Sequence, residues 1–289
     1  MAIERLAHAG MYFPGRFDEL MGHVRWMFYN NDGPGSMPDT GRRILAGRRG
    51  YLGFVAPHAP LRLALGVYGW AYYYMVVEGV PETVVILGPD HYGRTDRITV
   101  GRGFGLASPV ATLWTDDRMA EAIVEAVKGR IAIRYGEAEL FAREHSIEVH
   151  VAILSALIGP DVRIVPIIVP YALKSPIAYL GRAIANAVLE LGRDTVILAS
   201  TDMSHYTGTK YDAEQEDKRA IEVVLRLNWG ELLELNARGR LSWCGVGAVA
   251  AMLAAARALK ATRGKLLAYK LEKTESGFNG YGSIVVYRA

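Results

Sequence analysis

The stretch Val196-Ile-Leu-Ala-Ser-Thr-Asp-Met-Ser-His205 joins a short apolar run to a polar segment that ends in a histidine. A run of this length, followed at once by polar residues, indicates a strand that is buried on both faces of a sheet. In open α/β sheets, ligands bind beyond the carboxyl ends of the strands. The stretch therefore predicts a sheet strand and, directly after it, a position for binding or catalysis.

Two other stretches repeat this arrangement, Phe54-Val-Ala-Pro-His58 and Val84-Val-Ile-Leu-Gly-Pro-Asp-His91. Three of the seven histidines thus follow predicted strands. Imidazole is the commonest metal ligand and the usual general acid or base near neutral pH. One histidine after a strand can simply close a loop, but three at the same sheet edge favour a functional site. We therefore expect His58, His91 and His205 to lie together.

Short apolar runs alternate with longer ones along the rest of the chain. Strands alternating with helices indicate an α/β fold with a mostly parallel central sheet and helices on both faces. No internal repeat or compositional break marks a linker, so a single domain over residues 1–289 is predicted. The predicted strands are 51–56, 83–87, 162–169 and 195–199, followed by a C-terminal antiparallel pair, 266–271 and 283–287, that turns between residues 277 and 282. The predicted helices are about 17–28, 62–78, 115–128, 145–158, 175–191, 213–227 and 245–261.

The first of these helices has a clear apolar pattern. One face is predicted to carry its apolar side chains, which are Phe17, Leu20, Met21, Val24, Met27 and Phe28.

Composition narrows the functional classes. The formal net charge is only +3 and the basic residues are scattered, so no nucleic-acid partner is predicted. The uncharged runs 63–77 and 241–256 are shorter than the roughly 20 apolar residues of a membrane span, so they are interpreted as buried helices. A single cysteine excludes an intramolecular disulfide. With no secretory signal recognised, the chain is predicted to be cytoplasmic.

The lone cysteine lies in Ser242-Trp-Cys-Gly-Val-Gly247, just before a predicted helix. A thiolate at a helix start has a lowered pKa, which suits Cys244 to metal binding or nucleophilic attack; the alternative is a small buried apolar side chain. The stretch also fits G-x-G-x-x-A, but the segment before it is polar and turn-like, so a dinucleotide site is not indicated. Asp90 and Asp202 are acceptors that could orient an imidazole, or they could cap turns.

Glu144-His-Ser-Ile-Glu148 opens another predicted helix. The pattern is not H-E-x-x-H, so a zincin is not supported. Glu144 and Glu148 are four residues apart and share a face. From spacing alone, an exposed helix start with acids near the positive end of the dipole is favoured. The alternative is that Glu144, His145 and Glu148 support the histidine site.

Several short motifs together resemble the MEMO family, in the same order and over nearly the whole chain. These motifs are His8-Ala-Gly-Met-Tyr12-Phe13, Ala56-Pro-His58-Ala, Leu87-Gly-Pro-Asp-His91, Glu144-His-Ser-Ile-Glu148, Ser200-Thr-Asp-Met-Ser-His205 and Cys244-Gly245. The resemblance implies the LigB-type fold of class III extradiol dioxygenases, which cleave aromatic rings with non-haem iron(II). It also implies a radical-SAM protein and an AMMECR-type protein as functional partners.

Carried over by motif, the resemblance makes His58, His91 and Cys244 ligands of a divalent metal. His205, with Asp202 beside it, would be the acid or base. The ring-cleaving enzymes bind iron through two histidines and a carboxylate, whereas a softer cysteine stands here, which leaves copper or zinc as alternatives to iron(II). The residues implied to line the pocket or to support the ligands are Tyr12, Asp90, Glu144, His145 and Glu148.

Three functional hypotheses follow. The first is a metal-dependent, dioxygenase-like oxidoreductase that acts on a small substrate of unknown identity, with Asp202 setting the tautomer of His205. The second is a module that binds a metal or a peptide without turnover. The third is a hydrolase in which Cys244 is the nucleophile and His205 its base.

Overall fold

The computed structural model describes residues 2–171, 177–206, 208–275 and 277–289. Its strands are β1 (Ala2–Arg5), β2 (Tyr51–Ala56), β3 (Thr83–Pro89), β4 (Ile98–Gly101), β5 (Phe104–Ala107), β6 (Thr112–Trp114), β7 (Ile133–Gly136), β8 (Arg163–Val169), β9 (Thr195–Ser200), β10 (His205–Tyr206), β11 (Arg263–Thr274) and β12 (Gly277–Tyr287). Its helices are α1 (Phe17–Tyr29), α2 (Leu65–Val76), α3 (Asp117–Val127), α4 (Ala138–Ala142), α5 (His145–Leu157), α6 (Ile177–Leu191), α7 (Lys210–Leu225), α8 (Trp229–Ala237) and α9 (Val246–Ala258).

Parallel strands form the centre of the main sheet, whose order is β10-β12-β2-β9-β3-β8-β4-β7, with β11 paired to β12. Strands β2, β9, β3 and β8 run parallel to one another, and antiparallel β12 and β4 flank them. A small second sheet contains β1, β5 and β6. This topology confirms the predicted α/β fold with a largely parallel sheet. It also brings the loops after β2, β3 and β9 to one edge.

Helices cover both faces of the main sheet, as predicted. Val84 and Ile86 of β3 pack into the cluster that includes α1, α2 and α5, whereas Val85 and Leu87 pack into the cluster that includes α3, α6 and α9. Because both faces are buried, the central strands are apolar without interruption and show no alternation. Among the described residues, no helix combines the length and apolar character that crossing a bilayer requires.

Helix α1 confirms the predicted first helix. It buries Leu20, Val24, Met27 and Phe28, whereas Phe17 and Met21 are 53% and 37% exposed. One local prediction is wrong. The predicted turn at 277–282 is part of β12, and the hairpin connection lies between Thr274 and Gly277. The prediction was wrong because Gly277, Gly280 and Gly282 are typical turn residues but here lie within a strand. The predicted helix 175–191 corresponds to α6, and its first two residues lie outside the described residues.

Gly280 shows why a glycine occupies the middle of β12. A Cβ at this position would lie 2.1 Å from Oδ2 of Asp217 and 2.9 Å from Oγ of Ser204. Strand β12 passes directly over the buried carboxylate of Asp217. A glycine is needed here because a side chain would prevent this close approach of the backbone.

A buried ion pair ties together the ends of the strands opposite the predicted site. Arg49 and Asp194 are each 2% exposed. The Arg49 guanidinium donates from Nε and Nη2 to the two Asp194 oxygens, both at 2.7 Å, and to the carbonyls of Met75 and Gly79 at 3.0 and 2.7 Å. This side chain thereby joins the chain before β2, the end of α2 and the start of β9.

Replacing one partner of this pair leaves a buried charge without its counterion. We expect Asp194→Asn to lower the free energy of unfolding by about 3–5 kcal/mol, measured by urea denaturation. The double variant Arg49→Met/Asp194→Leu removes both charges and should recover most of that loss. A single variant within about 0.5 kcal/mol of the unmodified chain would contradict this assignment.

His150 of α5 is a second buried polar group in the core. Its Nδ1 is hydrogen-bonded to the Tyr72 hydroxyl at 2.8 Å, and its Nε2 has no hydrogen-bond partner within the described residues. Burial lowers the pKa of His150 to about 3. The ring is therefore neutral in the folded protein, whereas in the unfolded chain it gains a proton near pH 6.5.

The unfolded state binds the extra proton, so stability must fall as pH falls below about 6.5. For His150 alone, the loss between pH 7 and pH 5 is about 2 kcal/mol. We expect His150→Gln to lose about 2 kcal/mol less unfolding free energy than the unmodified chain between pH 7 and pH 5. The measurement is the free energy of unfolding at each pH. His23→Gln, on the surface of α1, is the matched control. Identical profiles for His150→Gln and the unmodified chain would refute the assignment.

Candidate metal centre

His58, His91 and Cys244 converge at the carboxyl edge of the parallel strands. His58 follows β2, His91 follows β3, and Cys244 precedes α9 and lies against the end of β9. Ligand atoms of the three residues all lie within 4.8 Å of one another. The Cys244 Sγ is 3.1 Å from Nε2 of His58, and the two imidazole rings are nearly perpendicular, with centroids 4.8 Å apart. The fold thus brings the three predicted ligands together.

A polar partner orients each imidazole through its Nδ1. His58 Nδ1 lies 2.8 Å from the Ser200 hydroxyl, and His91 Nδ1 lies 2.7 Å from Oε1 of Glu144. With Nδ1 engaged, Nε2 is the nitrogen left to bind a ligand. Carboxylate or hydroxyl support of this kind is typical of metal-binding histidines. Two oriented imidazoles and one thiol therefore form a donor set that fits a transition metal.

Glu144 has two functions at this site. It caps α5 by accepting from the Ser146 amide at 3.1 Å, and it also accepts from the backbone amide of His91 at 2.9 Å. Burial alone would raise the pKa of Glu144, but the hydrogen bond from His91 and the charges of His91 and His145 lower it overall. The carboxylate is therefore anionic. His145, Glu144 and His91 also form a compact group, in which Glu144 acts as the acceptor that holds His91.

The start of α5 is buried, so the exposed helix start favoured by spacing is wrong. Glu144, His145 and Glu148 are 2%, 8% and 0% exposed. The first turn of α5 faces the histidine site, and the segment around His8 covers Glu148. Spacing cannot reveal this burial because it depends on which distant segments pack over the helix. Glu144 contacts His91, and a supporting role for His145 and Glu148 stays a prediction.

A connected aromatic and polar group extends the site beyond the predicted ligands. The His8 ring contacts Glu148 through Nδ1, and its backbone amide donates to the same carboxylate at 2.9 Å. The Tyr92 hydroxyl lies 3.1 Å from Nε2 of His8 and 3.2 Å from Nδ1 of His145. Tyr12 stacks on His145 with centroids 4.4 Å apart. The sequence reasoning assigned no role to His8 or Tyr92, although His8 opens one of the motifs.

The buried histidines are neutral near pH 7. Burial, strengthened by the charges of His91 and His145, holds the pKa of His58 well below its usual value. Burial and the charge of His91 lower the pKa of His145 to about 3. A neutral imidazole keeps the lone pair that a metal requires. The lowered pKa values of His58 and His145 therefore favour neutral rings that can bind a metal over positively charged ones.

Cys244 lies close to the end of β9 because a glycine follows it. A Cβ on Gly245 would lie 2.2 Å from the Ser200 carbonyl oxygen, so no other residue permits this approach. The Cys244 sulfur accepts from the Asp202 amide at 3.2 Å. Burial, followed by the charge of Asp202, raises the pKa of the thiol. The expectation of a lowered pKa at a helix start is therefore wrong, because burial outweighs the helix dipole.

The two aspartates cap loops. Oδ1 of Asp202 accepts from the backbone amides of His58 and Ala59 at 2.9 and 3.1 Å. The carboxylate of Asp90 accepts from the amides of Tyr92 and Thr95 at 3.3 and 2.8 Å. Both therefore fix the loops that carry the site histidines, which is the alternative role that the sequence left open.

His205 is not one of the three residues whose ligand atoms converge. Its Nδ1 lies 3.1 Å from the Met203 carbonyl and its backbone amide donates to Ser242, while its side chain is exposed. The Met203 carbonyl, and not Asp202, therefore sets its tautomer, and that part of the prediction is wrong. Cys244 contacts His58 and not His205, so the structure does not form the nucleophile and base pair of the hydrolase hypothesis.

Comparisons with known proteins show which family this chain belongs to. A family model described as Memo-like protein matches residues 5–287. A MEMO1 family protein of Methanopyrus kandleri is 32% identical over 98% of this chain and 96% of its own length. A MEMO1 family protein of Methanothermobacter thermautotrophicus is 34% identical over 92% of each chain.

A solved structure shares the fold. The crystal structure of an uncharacterized protein from Escherichia coli K12 superposes with a TM-score of 0.56 at 15% identity, covering 82% of this chain and 99% of that one. At this identity the likeness concerns the fold alone. The family model and the curated relatives, which span nearly the whole chain, show that it belongs to the Memo-like protein family.

Proposed function

We propose that this protein is a metal-dependent oxidoreductase of the dioxygenase type, with His58, His91 and Cys244 as the metal ligands. The observation that carries the proposal is the convergence of these three donors, two of them with Nδ1 already engaged. Iron(II) is the proposed metal. Because a thiolate is a softer ligand than a carboxylate, copper and zinc compete with iron for such a site.

The metal, when bound, would supply Lewis-acid and redox chemistry. The protein's own residues bind and orient the reactants. Glu144 and Ser200 hold the two imidazoles, and the stacked rings of Tyr12 and His145 offer a flat wall for a small aromatic substrate. His205 is proposed as the acid or base, since the Met203 carbonyl engages Nδ1 and leaves Nε2 to exchange protons at the open side.

A specific observation supports a second candidate, a module that binds a metal or a peptide without turnover. Ring-cleaving dioxygenases use a carboxylate where Cys244 stands, and the proposed acid or base, His205, has no carboxylate among its hydrogen-bond partners in the described chain. A metal-binding module would share the metal site with the enzyme and differ from it in the reaction. They are therefore separated by activity and not by metal content.

Metal binding is the first test. We expect the purified, untagged protein to retain close to one equivalent of transition metal per chain, measured by elemental analysis. Cys244→Ser and His58→Ala remove a ligand and should abolish retention, whereas Glu144→Gln removes support for His91 and should weaken affinity about 10–100-fold. His23→Gln is the surface control and should bind normally. Equal metal content in Cys244→Ser and the unmodified protein would refute the proposed ligand set.

Oxygen consumption is the second test. After anaerobic reconstitution with iron(II), we expect substrate-dependent oxygen uptake with catechols. His205→Gln should lower kcat/KM by about 10²–10⁴-fold while leaving bound iron unchanged, because it removes an acid or base without touching a ligand. Full iron occupancy without uptake of oxygen on any catechol would contradict the enzyme proposal and favour the binding module.

A further inference from the structure

A fully buried carboxylate contacts the residue that precedes Cys244. Asp217 of α7 is 0% exposed and accepts four hydrogen bonds. Its Oδ1 accepts from the Ser204 amide at 2.9 Å and from Nε1 of Trp243 at 2.7 Å. Its Oδ2 accepts from the Ser204 hydroxyl at 2.8 Å and from the Tyr269 hydroxyl at 2.7 Å. One side chain therefore connects the loop before His205, the residue before Cys244 and strand β11.

The preceding residue of α7 acts on the same two loops. Oε1 of Glu216 accepts from the amide and the hydroxyl of Ser242 at 2.6 and 2.7 Å. The Ser242 hydroxyl in turn accepts from the His205 amide at 2.9 Å. Two adjacent carboxylates of one helix thus hold the 242–244 segment against the 202–205 segment.

Burying a carboxylate costs free energy unless hydrogen-bond donors surround it, so a fully buried carboxylate indicates a structural or functional role. All four partners of Asp217 are donors, and three of them belong to segments that end at Cys244 or His205. Trp243 is 3% exposed, so the residue bonded to Cys244 is itself fixed. The geometry is suited to setting where the sulfur lies.

We propose that Asp217, assisted by Glu216, is the positioning residue that holds Cys244 within reach of His58. The importance of this role for function rests on the metal site proposed above. The effect of Asp217 on the position of the sulfur does not require a metal and can be tested in the metal-free protein. Neither carboxylate is among the residues that converge at the site.

The test uses the fact that the chain has one cysteine, so thiol chemistry reports on this site alone. An asparagine at 217 offers one oxygen and an NH₂ group to four donors and cannot satisfy them. We expect Cys244 of Asp217→Asn, in the metal-free full-length protein, to react with iodoacetamide roughly tenfold faster or more. The reason is that the 242–244 segment, having lost a hydrogen bond to a charged group, opens more often and exposes the sulfur. Glu216→Gln keeps the accepting oxygen and should react at the normal rate.

Controls separate positioning from general destabilisation. Asp194→Asn weakens the fold at the opposite end of the strands and should leave the alkylation rate unchanged, and Glu222→Gln is an exposed control on α7. Trp243→Phe, which removes one donor to Asp217 and keeps a large ring, should accelerate alkylation even if Asp217→Asn does not fold. Rates equal to that of the unmodified chain in the folded Asp217 and Trp243 variants, or an equal acceleration in Asp194→Asn, would overturn the proposal.

Cobalt(II) provides the second readout. The sulfur-to-cobalt charge-transfer absorption of the loaded protein should weaken in Asp217→Asn, with an affinity about tenfold lower. An unchanged absorption and affinity in that variant would count against positioning. An unmodified protein that shows no such absorption would contradict the proposed metal site, while the alkylation comparison would still decide the role of Asp217.

Discussion

The close approach of two backbones at Gly245 determines the rest of the site. With any side chain there, the Cys244 segment could not rest on the end of β9, and the sulfur could not lie 3.1 Å from His58. The parallel order of β2, β9 and β3 then places both histidine loops beside it. A convergence of three distant segments thus depends on one missing Cβ and on strand direction.

Several polar groups around these three residues restrict their freedom to move. Ser200 and Glu144 fix the rotation of the imidazoles, and Asp202 fixes the loop of His58 through two backbone amides. Asp217 accepts a hydrogen bond from Trp243, the residue before Cys244. Supporting groups of this kind preorganise donors before a ligand arrives, which reduces the entropy lost on binding.

The sequence predicted what local patterns can encode. The central strands, the helices on both faces and the positions of His58 and His91 follow from apolar runs that end in polar loops. Exposure of Phe17 and burial of Glu148 could not be predicted, because each depends on which remote segment packs nearby. The glycine at 280 was interpreted as part of a turn for the same reason. It is needed for the close approach to Asp217, and that residue is far away in sequence. The resemblance supplied Cys244 as a ligand, which spacing alone left undecided.

The electrostatics of the thiol distinguish its possible uses. Burial and the nearby Asp202 raise its pKa, so without a cation the sulfur is a protonated, weak nucleophile. A divalent ion held by Cys244, His58 and His91 would reverse this balance, because its charge would stabilise the thiolate and allow the thiol proton to leave. The buried His58 imidazole beside it is neutral and adds no competing positive charge. A site that opposes a free thiolate and places two imidazoles beside it therefore suits the proposed metal ion better than covalent catalysis by cysteine.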